Sequence, residues 1–477
     1  MTHKIIALGL IVAASAASAQ TPAKETPPAP GPLRKFEVPP VQTATLANGL
    51  KIALIERHSL PIITARVQID AGAVREPAAK SGVAVLTANI LSEGSKRYTG
   101  ADIADRMARL GAQFGTSGAF GSAWVNVTSL PNVFNEAFKI AATTVTEPRF
   151  DEADFTRVRN NQIAGFENTM SNASGVANRV FVNAVYDSNT PYSRLSGGTR
   201  TSLEALTRDD VINWHRTMYA PSNTTVMFVG DITMAKAKAL VEEAFGKWTA
   251  AAPSLAKLDN KTRPASSTRI ILVDRPGSVQ SSIIVGQGSI GWGTPDYYSM
   301  LALSQVLGGG FGSRMNMNLR EKHGWSYGAF STFNPLVGAG TFYASSEVRT
   351  GATDSAIAES VKEFKRIVEE PVPATEAKDQ LNNVVSSFPS SVQTVQGLMA
   401  RLSNVITYNL PMDFYSSYRE RLAAIGPDDM SKAAKSLLNP GAITIVAVGD
   451  LKTIEAPIRS LNLGTVEVWN PDGTKVR

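Results

Sequence analysis

The sequence predicts an α+β protein, with two homologous mixed-sheet units of about 220 residues in tandem. Three observations predict it. At 477 residues the chain exceeds one ordinary domain. Strand and helix patterns mix within each half. And LTRDDVINWHRTMYAPSNTTVMFVGDI (206–232) aligns without gaps with IGPDDMSKAAKSLLNPGAITIVAVGDL (425–451), a shift of 219 residues. In that alignment Asp209 and Asp210 match Asp428 and Asp429, Pro221 matches Pro440, and Val229, Gly230 and Asp231 match Val448, Gly449 and Asp450. Both copies follow the same physical order. Acidic residues open a helix, where they complement its dipole. Proline then breaks the chain, and a β-branched strand ends in Gly-Asp.

The elements follow in chain order. Residues 1–19, MTHKIIALGLIVAASAASA, have a positive start at Lys4, an apolar run from Ile5 and a small-residue site at Ala17-Ser18-Ala19. This is the pattern of a signal peptide cleaved after Ala19, and it predicts export. The run is too short and too rich in alanine for a secure membrane span, so no membrane anchor is expected. Residues 20–40 are Pro-rich and read as an extended leader. The first unit, 41–250, starts with an Asn48-Gly49 hairpin between TATLA and LKIALIE. Apolar residues at 103, 104, 107 and 110 give a helical stripe, SAWVNVTSL (122–130) alternates as a strand, and NVFNEAFKIAATTV (132–145) is helical again. Residues 251–266 connect to the second unit, 267–477, where RIILVD and SSIIVGQG read as strands and 353–370 as a helix.

Composition excludes several functions. The chain has no cysteine, hence no disulfide framework, no thiol nucleophile, no thiolate zinc site and no lipid anchor on Cys. Its net charge of +6 falls to +5 without Lys4. Spread thinly and without a dense Lys/Arg stripe, that charge is not a nucleic-acid footprint. With only three histidines outside the signal segment, a serine-hydrolase reading has few candidate bases.

Four segments, LANGLKIAL, SEGSKRYTG, YAPSNTTVMFVGDI and LGGGFGSRMNMNLREKHGWSYG (307–328), together resemble the pitrilysin-type zinc peptidases, the inverted-motif H-x-x-E-H family that includes mitochondrial processing peptidase. The likeness spans residues 41–477 and implies two α+β units facing one another like a clam shell. Active members hold zinc with two histidines four apart on a helix and a distant glutamate, and the glutamate inside the motif is the base. In this chain the resemblance places the first histidine at Val85, the base at Ala88, the second histidine at Asn89 and the distant glutamate at Gly165. Glu167 is two positions off and turned by roughly 200° on a helix. With all four zinc-site positions lost, no metal is expected in this chain. Outside the signal segment only His58, His215 and His323 remain, too scattered to replace the motif.

The resemblance assigns a different role to the second unit. Arg320 and Tyr327, seven apart, fall where the family holds substrate and stabilises the developing oxyanion. A guanidinium that cannot deprotonate and a well-aimed phenol both suit that task. Outside this run, such a pair would read as a surface ion-pair partner and a rim residue. Gly308, Gly309 and Gly310 lack a phosphate-loop context and read as a substrate loop that lets a peptide backbone approach closely. The expectation is a zinc-free arginine/tyrosine subunit of a heterodimeric periplasmic zinc endopeptidase, inactive alone. An H-x-x-E-H subunit would supply the zinc, and peptides would be the substrate. The alternative is a catalytically dead scaffold or peptide-binding homologue.

Overall fold

The structure, a computed structural model, describes residues 37–477. The expected signal segment, and the leader up to residue 36, lie outside the described residues. The first hairpin forms where Asn-Gly predicts it, between β1 (Gln42–Thr45) and β2 (Lys51–Glu56). Gly49 sits at φ +88°, which glycine adopts without strain. The Asn48 amide donates to the carbonyls of Phe245 (2.8 Å) and Trp248 (3.3 Å), so the turn is fastened to the end of helix Met234–Phe245.

With β3 (Ile63–Ile69), β4 (Gln113–Gly118), β5 (Ala123–Ser129) and β6 (Thr224–Gly230), these strands make a sheet ordered β1-β2-β6-β3-β5-β4. The second sheet contains β7 (Arg269–Asp274), β8 (Gln280–Ile290), β9 (Ser326–Pro335), β10 (Ala339–Arg349), β11 (Thr444–Gly449) and β12 (Thr465–Trp469), in the order β12-β7-β11-β8-β10-β9. Five places correspond one for one. The sixth differs: β1 is antiparallel to β2, whereas β12 runs parallel to β7. Strands β4 and β9 end their sheets.

The repeat read from the sequence falls on the centre of both sheets. It comprises helix Arg208–Met218 followed by β6, and helix Pro427–Leu437 followed by β11, both strands buried along their whole length. Its matched aspartates do matched work. Asp210 accepts the Thr207 N–H at 2.9 Å, and Asp429 accepts the Gly426 N–H at 3.0 Å, each binding back to the residue before its helix.

One arrangement departs from a simple tandem. Helix Ala173–Val185, in the first half of the chain, packs on the second sheet. Its Val176, Val180, Phe181 and Val185 share a core cluster with Ile271, Ile284, Val446 and Trp469. In return, helix Val395–Thr407 packs on β3 and β6 of the first sheet. There Ser403 donates to Gln68 Oε1 at 2.6 Å and Gln68 donates to Thr407 at 3.0 Å. Each sheet is therefore covered by a helix from the other half, and residues 37–477 cohere as one unit.

Two titratable groups hold the first half. Glu76 is buried and accepts the backbone N–H groups of Gly82 (2.9 Å) and Ala84 (3.2 Å), capping helix Val83–Ile90 in place of an N-cap side chain. Burial pushes its carboxyl up to about 7 despite those bonds. His215, on helix Arg208–Met218, packs between Phe150 and Tyr219, and its Nε2–H donates to the Val145 carbonyl at 2.8 Å. Burial lowers its pKa to about 4.

Two tests follow from this packing. Phe181→Ala removes a fully buried ring and should cost about 3–5 kcal/mol in urea unfolding, the range for such truncations. The loss should appear as one cooperative transition, because the ring joins the halves; two separated transitions would contradict the reciprocal cover. The second test is pH. From about pH 4.5 to 6.5 the folded chain keeps a proton on Glu76 that the unfolded chain releases, so this group's contribution to stability falls as pH rises. At His215 the unfolded chain binds the extra proton, so that contribution grows as pH rises. Each slope reaches about 1.4 kcal/mol per pH unit, and the two oppose. Glu76→Gln should therefore gain stability from pH 4.5 to 6.5 relative to wild type, and His215→Gln should lose it. Urea titrations at three pH values check the signs.

Candidate functional site

Helix Val83–Ile90 begins at Gly82, where φ is +97° and an added Cβ would lie 2.9 Å from the Gly197 carbonyl oxygen. Only glycine meets both demands. The helix packs on β4, on helix Arg208–Met218 and on helix Glu152–Met170. Ala88 is fully buried, whereas Val85 and Asn89 are half-buried. Gly118 of β4 lies over them: a Cβ there would come within 3.1 Å of both the Ala88 methyl and the Val85 Cα.

Where the resemblance assigns metal ligands, the structure has amides and methyls. Asn89 Nδ2 donates to Gln162 Oε1 at 3.4 Å, and Gln162 in turn donates to the carbonyls of Gly197 (2.8 Å) and Gly82 (3.3 Å). This amide chain ties helix Val83–Ile90 to helix Glu152–Met170. Gly165 lies nearly one turn beyond Gln162, exposed, with nothing within 4 Å of an added Cβ. Glu167 is ion-paired with Arg200. Among the described residues no group of three or more His, Asp or Glu side chains could hold a metal ion. The histidines are dispersed. His58 bridges Glu56 (2.8 Å) and Asp231 (2.6 Å), His215 is in the first core, and His323 stacks on Trp325 with ring centroids 4.0 Å apart.

In the second half, helix Tyr297–Gly308 occupies the place between β8 and β9 that helix Val83–Ile90 occupies between β3 and β4. Its terminal glycines have distinct reasons. A Cβ on Gly308 would sit 2.1 Å from the Ser331 nitrogen, so the close backbone approach there is to the chain's own β9. A Cβ on Gly309 would collide with Gln305, whereas Gly310 is open. Ser313 donates to the Gly310 carbonyl at 2.6 Å, and Gln380 donates to that of Gly312 at 3.1 Å. The turn is thus tight, and it presents Phe311, 61% exposed, beneath the Arg320 guanidinium at 4.8 Å from ring centre. Phe311 lies in the same run as the glycines, but nothing in its spacing marks it as the support of Arg320.

Arg320 belongs to a π-helical turn, Met317–Lys322, and its Nε pairs with Glu321 at 3.2 Å. Gly324, at φ +61°, ends the turn by donating to the Arg320 carbonyl, and the chain enters β9. Tyr327, second in that strand, is 90% exposed, and its hydroxyl has no hydrogen-bond partner among the described residues. It borders a groove of about 470 Å³ that also takes in Ser174 of the exchanged helix, Ser282 and Phe330. Neither a hydrogen bond nor a cation–ring contact joins Arg320 to Tyr327.

Comparison with known proteins agrees with this geometry. Residues 51–196 match the family model for insulinase (peptidase family M16), and residues 205–384 match that for the peptidase M16 inactive domain, together more than half of the chain. An uncharacterized zinc protease of Streptomyces coelicolor is 22% identical over 87% of this chain and 91% of its own length. The non-peptidase homolog YmxG of Helicobacter pylori is 20% identical over 85% and 93%. The crystal structure of a peptidase M16 inactive domain from Pseudomonas fluorescens superposes with a TM-score of 0.79 at 28% identity, over 86% of this chain and 98% of that one. With amides and methyls where the resemblance requires zinc ligands, and with these relatives, the chain belongs to the M16, pitrilysin-type, peptidase family as a noncatalytic member.

Proposed function

We propose that this chain is the arginine/tyrosine subunit of a heterodimeric zinc endopeptidase that degrades peptides in the periplasm. Its partner is a homologous H-x-x-E-H subunit that carries the zinc, the water and the base. The observation that carries this reading is Tyr327. A tyrosine kept only for packing buries its ring, but this one holds ring and hydroxyl in solvent beside an open groove, a few residues from an exposed guanidinium braced on Phe311. Such donors suit a carbonyl gaining negative charge, provided that a nucleophile faces them. The first half of the same chain supplies none at Val85, Ala88, Asn89 or Gly165, so the facing surface belongs to another chain. A stable pair of this kind buries more than about 1,000 Å². The compartment rests on the signal pattern of residues 1–19.

The test is reconstitution. Alone, the chain should bind no stoichiometric zinc by plasma-emission analysis and cleave no unstructured peptide. Mixed with an H-x-x-E-H homologue from the same source, it should sediment as a one-to-one complex with activity peaking near equimolar ratio. A partner fully active by itself would reduce this chain to a scaffold. In the complex, Tyr327→Phe keeps the ring and removes one donor, so turnover should fall about 10²-fold with zinc content and assembly unchanged. Arg320→Ala should also raise KM, since a guanidinium holds the ground-state carbonyl as well. Full activity in both variants, with normal zinc, would remove the donor role.

A further inference from the structure

The segment that carries Arg320 has a second face. Arg314, Asn318 and Lys322, four apart, share it, and with Lys362 and Arg366 of helix Thr353–Glu369 they line a pocket of about 340 Å³. Its walls hold four cations against two carboxylates, Glu363 and Glu376. Both carboxylates are already engaged. Glu376 takes Arg314 Nε and Nη2 at 2.8 Å each, and Glu363 takes Arg366 at 3.0 Å and Asn318 Nδ2 at 2.8 Å. Lys322 makes no hydrogen bond or salt bridge among the described residues, and Lys362 only a long one, 3.4 Å, to Glu359.

Two buried atoms of the residues that line the pocket are also unpartnered. The Arg314 side chain is 7% exposed and Asn318 8%, yet Arg314 Nη1 has no acceptor and Asn318 Oδ1 has no donor. The Asn318 amide is fixed in orientation, because its Nδ2 donates to two carboxylates, Glu359 and Glu363, at 2.8 Å each. A buried charged donor and a buried acceptor without partners are costly, and a missing small ligand is one of the few ways to account for both. The geometry points to an oxyanion site here, for a ligand with at least two acceptor oxygens and one hydrogen to donate. The oxygens would meet Lys322, Lys362 and Arg314 Nη1, and the hydrogen would meet Asn318 Oδ1. Protonated phosphate has that chemistry, and so does a peptide C-terminus, whose carboxylate adjoins an N–H. This site is independent of any partner subunit.

Titration calorimetry of the full chain in buffer free of other oxyanions tests it, with inorganic phosphate, trialanine and trialanine amide as probes. Saturable one-to-one binding of phosphate, or of trialanine but not its amide, is the expected result, and the arm that binds names the source. Lys322→Ala/Lys362→Ala alters only the partly exposed rim, so its melting temperature without ligand should match wild type, while affinity for the binding probe falls by about tenfold or more. The proposal is overturned if neither phosphate nor trialanine binds saturably, or if the double variant binds as wild type does.

Discussion

The packing of helix Ala173–Val185 on the second sheet is the contact on which the rest depends. Phe181 and its neighbours belong to the first half by sequence and to the second by burial, and helix Val395–Thr407 returns the exchange on the first sheet. Neither sheet has a complete core without the other half of the chain. The relative position of the two sheets is therefore set by buried apolar area rather than by the 251–266 connection. Ser174, at the start of the exchanged helix, borders the groove beside Tyr327, so the same exchange that closes the second core also builds a wall of the candidate site.

Helix Val83–Ile90, where the resemblance places the metal ligands, is held by backbone caps and amide contacts. Glu76 caps Val83–Ile90, and Gly82 and Gly118 admit close backbone contact. The Asn89–Gln162 contact joins two helices by an amide bridge. In the second half, an Arg on a phenyl ring and a phenol without a partner among the described residues stand exposed at the surface.

Much of this was legible in the sequence, for identifiable reasons. The repeat exposed the two central strands because each has one physical solution: acidic helix start, proline break, buried β-branched strand. Asn48-Gly49 and the 122–130 alternation located β-structure by turn chemistry and period. The positions Val85, Ala88, Asn89, Arg320 and Tyr327 came from the likeness to a family. The helix exchange was not legible, because an apolar stripe on 173–185 says that a face is buried but not against which sheet. Glu76 could not be read as a cap either, since it lies six residues before Gly82 and reaches the helix only through the intervening turn. The same holds for Phe311, whose role depends on a π-helical turn that no local periodicity announces.

The two chain ends of the described region reinforce opposite sheets at the same place. β1 extends one sheet beside β2, and β12 extends the other beside β7. Each addition moves an edge outward, so β1 and β12 end their sheets on the side remote from the candidate site, and β4 and β9 end them on the other. Open borders invite unwanted strand pairing, and proteins commonly blunt them. β4, with the sequence QFGTSG, is short, polar and glycine-containing, a poor template for aggregation. β9 lacks that protection: it is ten residues long and displays Tyr327 and Phe330 to solvent. A charge placed on this border to blunt it would also change the wall of the candidate groove, so the stickiness of the edge and the surface of the groove are set by one strand.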